Sequence, residues 1–209
     1  MSKSTLEMAR NLVARLEAEE KEEKVQLKEL KPGETFMIGE HEFIVLEQIY
    51  GIGGRDFDAT SVISKDFMLE NVAFDSDTRN YLISDLRDKI EEKILPIIEK
   101  EVGAENIVEN ICYLRSVCGD NKFGRFTSKV RPMTFDEARK YHEFIQNEDL
   151  DDWWWTCTPW GSDKNGNART IATVSPSGNI RSNYCIIIGG VRPFCILKSD
   201  IFVSKGELL

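Results

Sequence analysis

The start of the chain has the pattern of an amphipathic helix. Apolar side chains recur there at intervals of three and four residues, at Leu6, Ala9, Val13 and Leu16. Ser4 and Glu7 have the spacing of a capping box, which closes the first turn of a helix. We therefore predict a helix from about Thr5 to Lys24. Two heptads are too short for a stable isolated coiled coil, so this helix either docks on its own domain or pairs between chains.

Pro32 and Gly33 mark a turn into a segment with strand character. Residues 35–39 and 41–47 are short runs with strand character on either side of Glu40, which predicts a β-hairpin. The chain therefore divides into an N-terminal helix with its linker, residues 1–31, and one domain, residues 32–209.

Helical spacing returns in the middle of the domain. Apolar residues recur between Arg79 and Glu101, which predicts a helix capped by Asp77 or Ser76. Pro96 should kink or split this helix because it has no backbone N–H. Thr134 and Glu137 form a second capping box, which predicts a helix to about Gln146. Residues 111–117 and 125–130 are strand candidates between the two helices. This irregular alternation indicates the α+β class.

The last third of the chain combines tryptophans with short strands. Alternation along a strand would send Trp153 and Trp155 to one face and Trp154 to the other, whereas Trp160 lies in a loop. Turn sequences separate four apolar runs: residues 169–174, 179–181, 185–188 and 191–197. We predict an antiparallel meander.

Composition and charge narrow the function. The 209 residues include 36 acidic and 27 basic side chains, a net charge of −9. Duplex nucleic acid is therefore not an expected partner, because phosphate contacts require a basic face. No apolar run approaches the length of a membrane span, and the N-terminus lacks the apolar centre of a secretory signal. We expect a cytoplasmic protein that does not bind membranes.

Three blocks of the C-terminal third resemble a family of bacterial and phage proteins, domain of unknown function 6273. The residues that match its tryptophan block are Trp154, Trp155, Thr158 and Pro159. A second block matches at Ala172, Val174 and Gly178, and the third at Gly190, Val191, Arg192 and Pro193. With looser matches upstream, the resemblance runs from about Leu30 to Val203. It implies a C-type-lectin-like fold, related to formylglycine-generating enzymes, with small antiparallel sheets and two main helices.

The resemblance also implies a binding face between Trp155 and Gly190. Two departures matter: Cys157 stands where the family commonly has arginine, and Phe194-Cys195 replaces a small apolar pair. Contacts made by that arginine are therefore not carried over. Arg192 itself, in an apolar strand, is expected to satisfy backbone carbonyls through its fork of donors.

Three groups of residues could in principle hold a metal or react. Residues 163–167 offer oxygen atoms but lack the spacing of a calcium loop, so we expect no metal and no cofactor. Cys185 and Cys195 could face each other across a hairpin, and a metal-assisted cysteine oxidase is the alternative enzyme. The acidic run Glu148 to Asp152 is interpreted as solvated surface rather than a catalytic pair.

We therefore predict a non-catalytic recognition module that binds a protein partner through the outer face of the final sheet. The predicted ligand-contacting residues are Trp160, Arg169, Thr173, Asn179, Arg181, Asn183 and Tyr184. A homo-oligomer held by the N-terminal helix is a further possibility, as is a purely structural oligomer. By resemblance, a phage or mobile-element origin and inhibition of a host-defence complex are consistent with this prediction.

Overall fold

In the computed structural model, the chain forms an α+β domain, and the structure describes residues 10–11, 24–51, 58–161 and 169–206. The strands are β1 (Lys24–Gln26), β2 (Thr35–Ile38), β3 (His41–Ile49), β4 (Ala59–Ser64), β5 (Leu69–Ala73), β6 (Asn110–Tyr113), β7 (Arg125–Ser128), β8 (Val130–Arg131), β9 (Trp154–Pro159), β10 (Thr170–Val174), β11 (Ile180–Tyr184), β12 (Ile188–Val191), β13 (Phe194–Lys198) and β14 (Phe202–Lys205). The helices are α1 (Asp85–Lys89), α2 (Leu95–Val102), α3 (Phe135–Lys140) and α4 (His142–Ile145). Short 3-10 turns span Leu27–Glu29, Tyr81–Ile83 and Ala104–Asn106.

The strands form two main sheets and a ribbon. A seven-stranded sheet has the order β1-β14-β2-β3-β4-β13-β8, and a five-stranded sheet has the order β11-β10-β9-β12-β5. Strands β6 and β7 pair with each other as the ribbon. No helix in the described ranges is long and apolar enough to cross a membrane.

The predicted N-terminal helix lies outside the described residues, apart from residues 10 and 11 and its end at Lys24. At that end the structure differs from the prediction, because Lys24–Gln26 is a strand that pairs antiparallel with β14. Leu27 and Leu30 are buried just after it. The segment assigned to a linker therefore begins as a strand of the sheet, continues as a 3-10 turn, and contributes Val25, Leu27 and Leu30 to the core.

The predicted hairpin is confirmed as β2 and β3, with Phe36 opposite Phe43. The predicted helix at residues 79–101 is shorter and interrupted. It begins at Ser84, whose hydroxyl accepts a hydrogen bond from the Arg87 amide, and a π-helical turn at Ile90–Ile94 separates α1 from α2. Pro96 lies in the first turn of α2, where a missing N–H costs nothing. The interruption expected at this proline is therefore confirmed.

The second predicted helix is split into α3 and α4 at Tyr141. Its capping box is confirmed: Thr134 accepts from the Glu137 amide, and the Glu137 carboxylate accepts from the Thr134 amide.

The predicted meander is confirmed only for β10 and β11, which correspond to the predicted runs 169–174 and 179–181. Strand β12 instead lies between β9 and β5, and β13 leaves for the other sheet, where it pairs with β4 and β8. The prediction of one continuous meander was therefore wrong. Strand-sized apolar runs do not identify their partners, and the two main sheets share this C-terminal segment.

The core consists of two apolar clusters, which meet the two faces of β9. Trp155 belongs to the larger cluster with Phe74 and Tyr81, and Trp154 belongs to the other with Tyr141 and Phe194. Both tryptophans are fully buried. The predicted alternation of the tryptophans is confirmed.

Candidate functional site

A cleft of about 430 Å³ opens beside the edge of the five-stranded sheet. One wall is formed by β10, β11 and the turn between them, and the other by the segment before β9. The side chains and backbone that line it belong to Asp151, Asp152, Trp153, Thr173, Ser175, Pro176, Arg181, Ser182 and Asn183. Three of the seven predicted ligand residues, Thr173, Arg181 and Asn183, thus meet in one place, together with six residues that the prediction did not include.

The register of β10 and β11 brings the three predicted residues together. Thr173 lies opposite Arg181, and Ile171 lies opposite Asn183. Opposed residues in an antiparallel pair point to the same face, so Thr173, Arg181 and Asn183 share one face. Arg181 is exposed and Asn183 half-buried, but Thr173 is only 1% exposed. The prediction of Thr173 as an outward contact is corrected, because the cleft walls cover it and the Asn183 amide donates to its hydroxyl at 3.4 Å.

The other four predicted residues lie elsewhere. Tyr184 follows Asn183 directly in β11, and successive side chains of a strand point to opposite faces. Tyr184 is therefore exposed on the face opposite Arg181 and Asn183. Arg169 is exposed and forms an ion pair with Asp77. Asn179 belongs to the turn before β11, and Trp160 is half-buried after β9. The prediction of one shared face for all seven is therefore wrong: alternation along β11 separates Tyr184 from Arg181 and Asn183, and the other three lie outside β10 and β11.

Trp153 forms the apolar wall of the cleft. Its ring meets the Trp155 ring edge to face, with centroids 4.6 Å apart, and the Trp153 carbonyl accepts from the Gly190 amide. A Cβ atom on Gly189 would lie 2.5 Å from the Trp153 ring. Only glycine at position 189 therefore lets the indole pack this closely against the strand, and the Trp153 ring lines the cleft as its apolar surface.

The acidic run before β9 separates this cleft from a second one. The second cleft has a volume of about 470 Å³ and shares Asp151 and Asp152 with the first. Its other acidic lining residues are Asp66, Glu70 and Asp149, and its lining includes no basic residue. Among the described residues, no group of three or more acidic, histidine or cysteine side chains is arranged to hold a metal. The run of acids was visible in the sequence, but its position between two clefts was not.

Arg192 has the structural role predicted for it. Its guanidinium donates to the carbonyls of Ser64 and Ile145 at 2.8 and 2.6 Å and lies over the Trp154 ring at 5.2 Å. Burial lowers the pKa of the Arg192 guanidinium to about 9, against a weaker opposing effect from Asp66. Through these bonds the arginine links α4 to the end of β4, and it does not belong to the lining of either cleft.

The cysteines predicted to face each other do not share a hairpin. Cys195 lies in β13 between Val62 and Val130, whereas Cys185 follows β11 and donates its amide to the Arg169 carbonyl. Both thiols are buried, and burial raises the pKa of the Cys195 thiol to about 12. The hairpin pairing on which the oxidase alternative was based is thus corrected, because β12 and β13 enter different sheets.

The structure instead brings together Cys112 and Cys157, whose sulfur atoms are 3.9 Å apart. Both are buried between the ribbon and β9. The sequence spacing of 45 residues carried no signal for this contact. The loop considered for calcium, residues 163–167, lies outside the described residues.

Comparison with known proteins finds no family model, no curated protein and no solved structure that matches this chain. The resemblance to the 6273 family therefore stays a prediction, and the functional argument depends on the geometry of the two clefts.

Proposed function

We propose that this chain is a non-catalytic recognition module that binds a segment of a protein partner in the cleft beside β10 and β11. The observation that carries the proposal is the convergence of Arg181, Asn183 and Trp153 in that cleft. A flat indole offers a large contact area at a small entropic cost, and the two polar side chains supply hydrogen bonds that select an orientation.

The charges favour a partner segment with basic residues. Asp151 and Asp152 are exposed at the boundary of the two clefts, and the lining of the second cleft adds three more carboxylates and no basic residue. A lysine or arginine of the partner would meet these carboxylates, while the Arg181 guanidinium would bind a carboxylate or carbonyl at the other end. This arrangement fits an extended segment of mixed charge, with its basic end towards Asp151.

The proposal extends to the fold family. A C-type-lectin-like fold of the 6273 type would use its last sheet as the binding platform, and the cleft lies on that sheet. A phage or mobile-element origin, with a host-defence complex as the partner, is the setting that this family membership would supply. These statements stand on the motif residues alone.

A peptide array tests the proposal directly. Extended peptides with varied positions of lysine, arginine, aspartate and glutamate are screened for binding to the full chain, and the best binder is measured by calorimetry. We expect mixed-charge peptides to bind, and the double variant Asp151→Lys, Asp152→Lys to raise the Kd at least tenfold, which is about 1.4 kcal/mol. Arg181→Glu should raise the Kd similarly. The matched control is Asp136→Lys, because Asp136 is an exposed carboxylate outside both clefts.

Two results would overturn the proposal. One is equal binding by the wild-type chain and by both cleft variants while circular dichroism shows them folded. The other is an array without any binder that competes for the cleft. Deletion of residues 1–23 separates the proposal from a purely structural oligomer, since the described residues that line the cleft all lie beyond Glu148 and peptide binding should persist.

A further inference from the structure

The outer edge of β11 is unpaired in the part of the chain that the structure describes. β11 is the last strand of its sheet, and β10 covers only its inner edge. The amide of Cys185 donates to Arg169, and the carbonyl of Asn179 accepts from Ser175, so the odd-numbered residues direct their backbone groups towards β10. The N–H and C=O groups of Ile180 and Ser182 therefore point away from the sheet, as does the N–H of Tyr184.

We propose that a second copy of this chain pairs with β11 in antiparallel register, about a two-fold axis that passes between the two Ser182 residues. The two Ser182 residues would exchange both backbone hydrogen bonds. The Tyr184 amide would donate to the carbonyl of the partner's Ile180, and the symmetric bond would form on the other side. These four bonds leave the Tyr184 carbonyl to the Ile187 amide, from which it already accepts at 3.0 Å.

The sequence of β11 is complementary to itself in this register. Ile180 would lie opposite the partner's Tyr184, and a β-branched residue opposite an aromatic one is a favourable cross-strand pair. Arg181 would lie opposite the partner's Asn183, so that no two like charges are directly opposed. In an isologous contact, a residue i that meets residue j of the partner requires that residue j also meets the partner's residue i. This register satisfies that condition at every position.

The surroundings of β11 also favour pairing. Residues 182–191 contain no charged side chain, and Tyr184, Ile186 and Ile188 in this stretch are 57%, 56% and 52% exposed. An uncharged edge with exposed apolar residues is the kind that templates a further strand, and Arg181 is the single charge on it.

The other edges of the two main sheets are less suited to pairing. β1 and β8 have three and two residues, too few for an extended ladder. β5 contains Asn71 with φ of 54°, which breaks the extended backbone, and it carries the acidic Glu70. The five residues of β11 hold a regular register with β10 from end to end.

Pairing would place the two clefts on the same side of a continuous sheet. The face of Arg181 and Asn183 would continue into the partner's Asn183 and the partner's Arg181. The dimer would then present two binding clefts side by side, although the pairing itself does not require that either cleft binds a ligand.

Sedimentation equilibrium of the full chain at several concentrations tests the pairing. We expect a dimer for the wild-type chain, and at least a tenfold higher dissociation constant for Ser182→Glu, which opposes two carboxylates across the axis. Asn183→Asp should tighten the dimer, because each carboxylate would face an Arg181, and Asn183→Arg should weaken it. Ser182→Thr is the matched control and should leave the dissociation constant within about threefold. Thermal unfolding of each variant reports whether the fold is retained.

The outcomes that would overturn the proposal are distinct from failure of the peptide-binding proposal. A chain that stays monomeric up to the millimolar range excludes the pairing, whatever its peptide affinity. A dimer that survives Ser182→Glu but is lost on deletion of residues 1–23 assigns the contact to the N-terminal segment instead. Equal effects of Asn183→Asp and Asn183→Arg would also exclude this register.

Discussion

At the scale of single residues, the clearest case is the buried ion pair between Arg131 and Glu137. Both guanidinium nitrogens Nη1 and Nη2 donate to the Glu137 carboxylate, at 2.7 and 2.6 Å, and the guanidinium lies over the Phe194 ring. Arg131 is only 2% exposed. Burial alone would raise the pKa of the Glu137 carboxyl, but the charge of Arg131 and its hydrogen bonds outweigh this effect and lower it below the ordinary value of 4.5.

Replacement of Glu137 by Gln should therefore be strongly destabilising. It leaves the buried Arg131 cation without its anion, and breaking such a pair costs about 3–5 kcal/mol in free energy of unfolding. Urea denaturation at pH 7 measures the loss. Asp136→Asn is the control, because Asp136 is exposed in the same turn and should change the free energy by less than about 0.5 kcal/mol. Equal values for the two variants would contradict the assigned role of the pair.

The same pair predicts a dependence on pH. A carboxyl whose pKa is lower in the folded than in the unfolded state contributes its full stabilisation above the unfolded value. This contribution is lost as the pH falls below about 4.5 and through the folded pKa. The stability difference between the wild-type chain and Glu137→Gln should therefore shrink on acidification.

Single-residue predictions from the sequence succeeded where the pattern is local. The capping box of Thr134 and Glu137 follows from a spacing of three, and the opposed faces of Trp153 and Trp154 follow from a period of two. The second role of Glu137, as the partner of Arg131, has no such signature. The burial of Thr173 was missed for the same reason, because the segment that covers it comes from twenty residues earlier in the chain.

At the scale of elements, the sequence located the long helical region but misplaced its start. Asp77 and Ser76 were the expected caps, yet Asp75 fills that turn by accepting from the amides of Asp77 and Thr78 and, through its other oxygen, from the Asp85 amide. Ser84 then caps α1. Several polar residues in a row can each serve as a cap, and packing of Tyr81 into the core decides among them.

Replacement of Ser84 by Ala tests this assignment. The hydroxyl accepts from the Arg87 amide and donates to the Tyr81 carbonyl, and Ser84 is fully buried. We expect a loss of about 1 kcal/mol, within the usual range of roughly 0.5–2 kcal/mol for a helix cap. Ser76→Ala is the matched control, because Ser76 is the exposed alternative and should be nearly neutral. Urea midpoints of the two variants give the comparison, and a larger loss for Ser76→Ala would contradict it.

At the scale of the whole molecule, the sequence predicted an α+β chain and most of its strands, but not how the strands divide between two sheets. Strand β12 pairs with β9 through Gly190 and Trp154, which are 36 positions apart, and β13 crosses to the other sheet. Pairings of this kind depend on the complete fold. The candidate site shows the same limit: Arg181 and Asn183 were predicted from the binding face that the family resemblance implies, whereas Asp151, Asp152 and Trp153 join them only through tertiary packing.

The distribution of thiols gives a test of the whole fold. Cys118 is exposed, whereas Cys112, Cys157, Cys185 and Cys195 are buried in the core shared by both sheets and the ribbon. A water-soluble thiol reagent should therefore modify one cysteine rapidly at pH 8, and the remaining four at rates set by opening of the structure. Burial also raises the pKa of the Cys195 and Cys185 thiols, which lowers their thiolate fraction further.

Cys118→Ser should remove the rapid phase and leave the slow one unchanged, as followed by mass spectrometry of the intact chain. Rapid modification of Cys185 or Cys195 in that variant would show that the two sheets do not close over them as described.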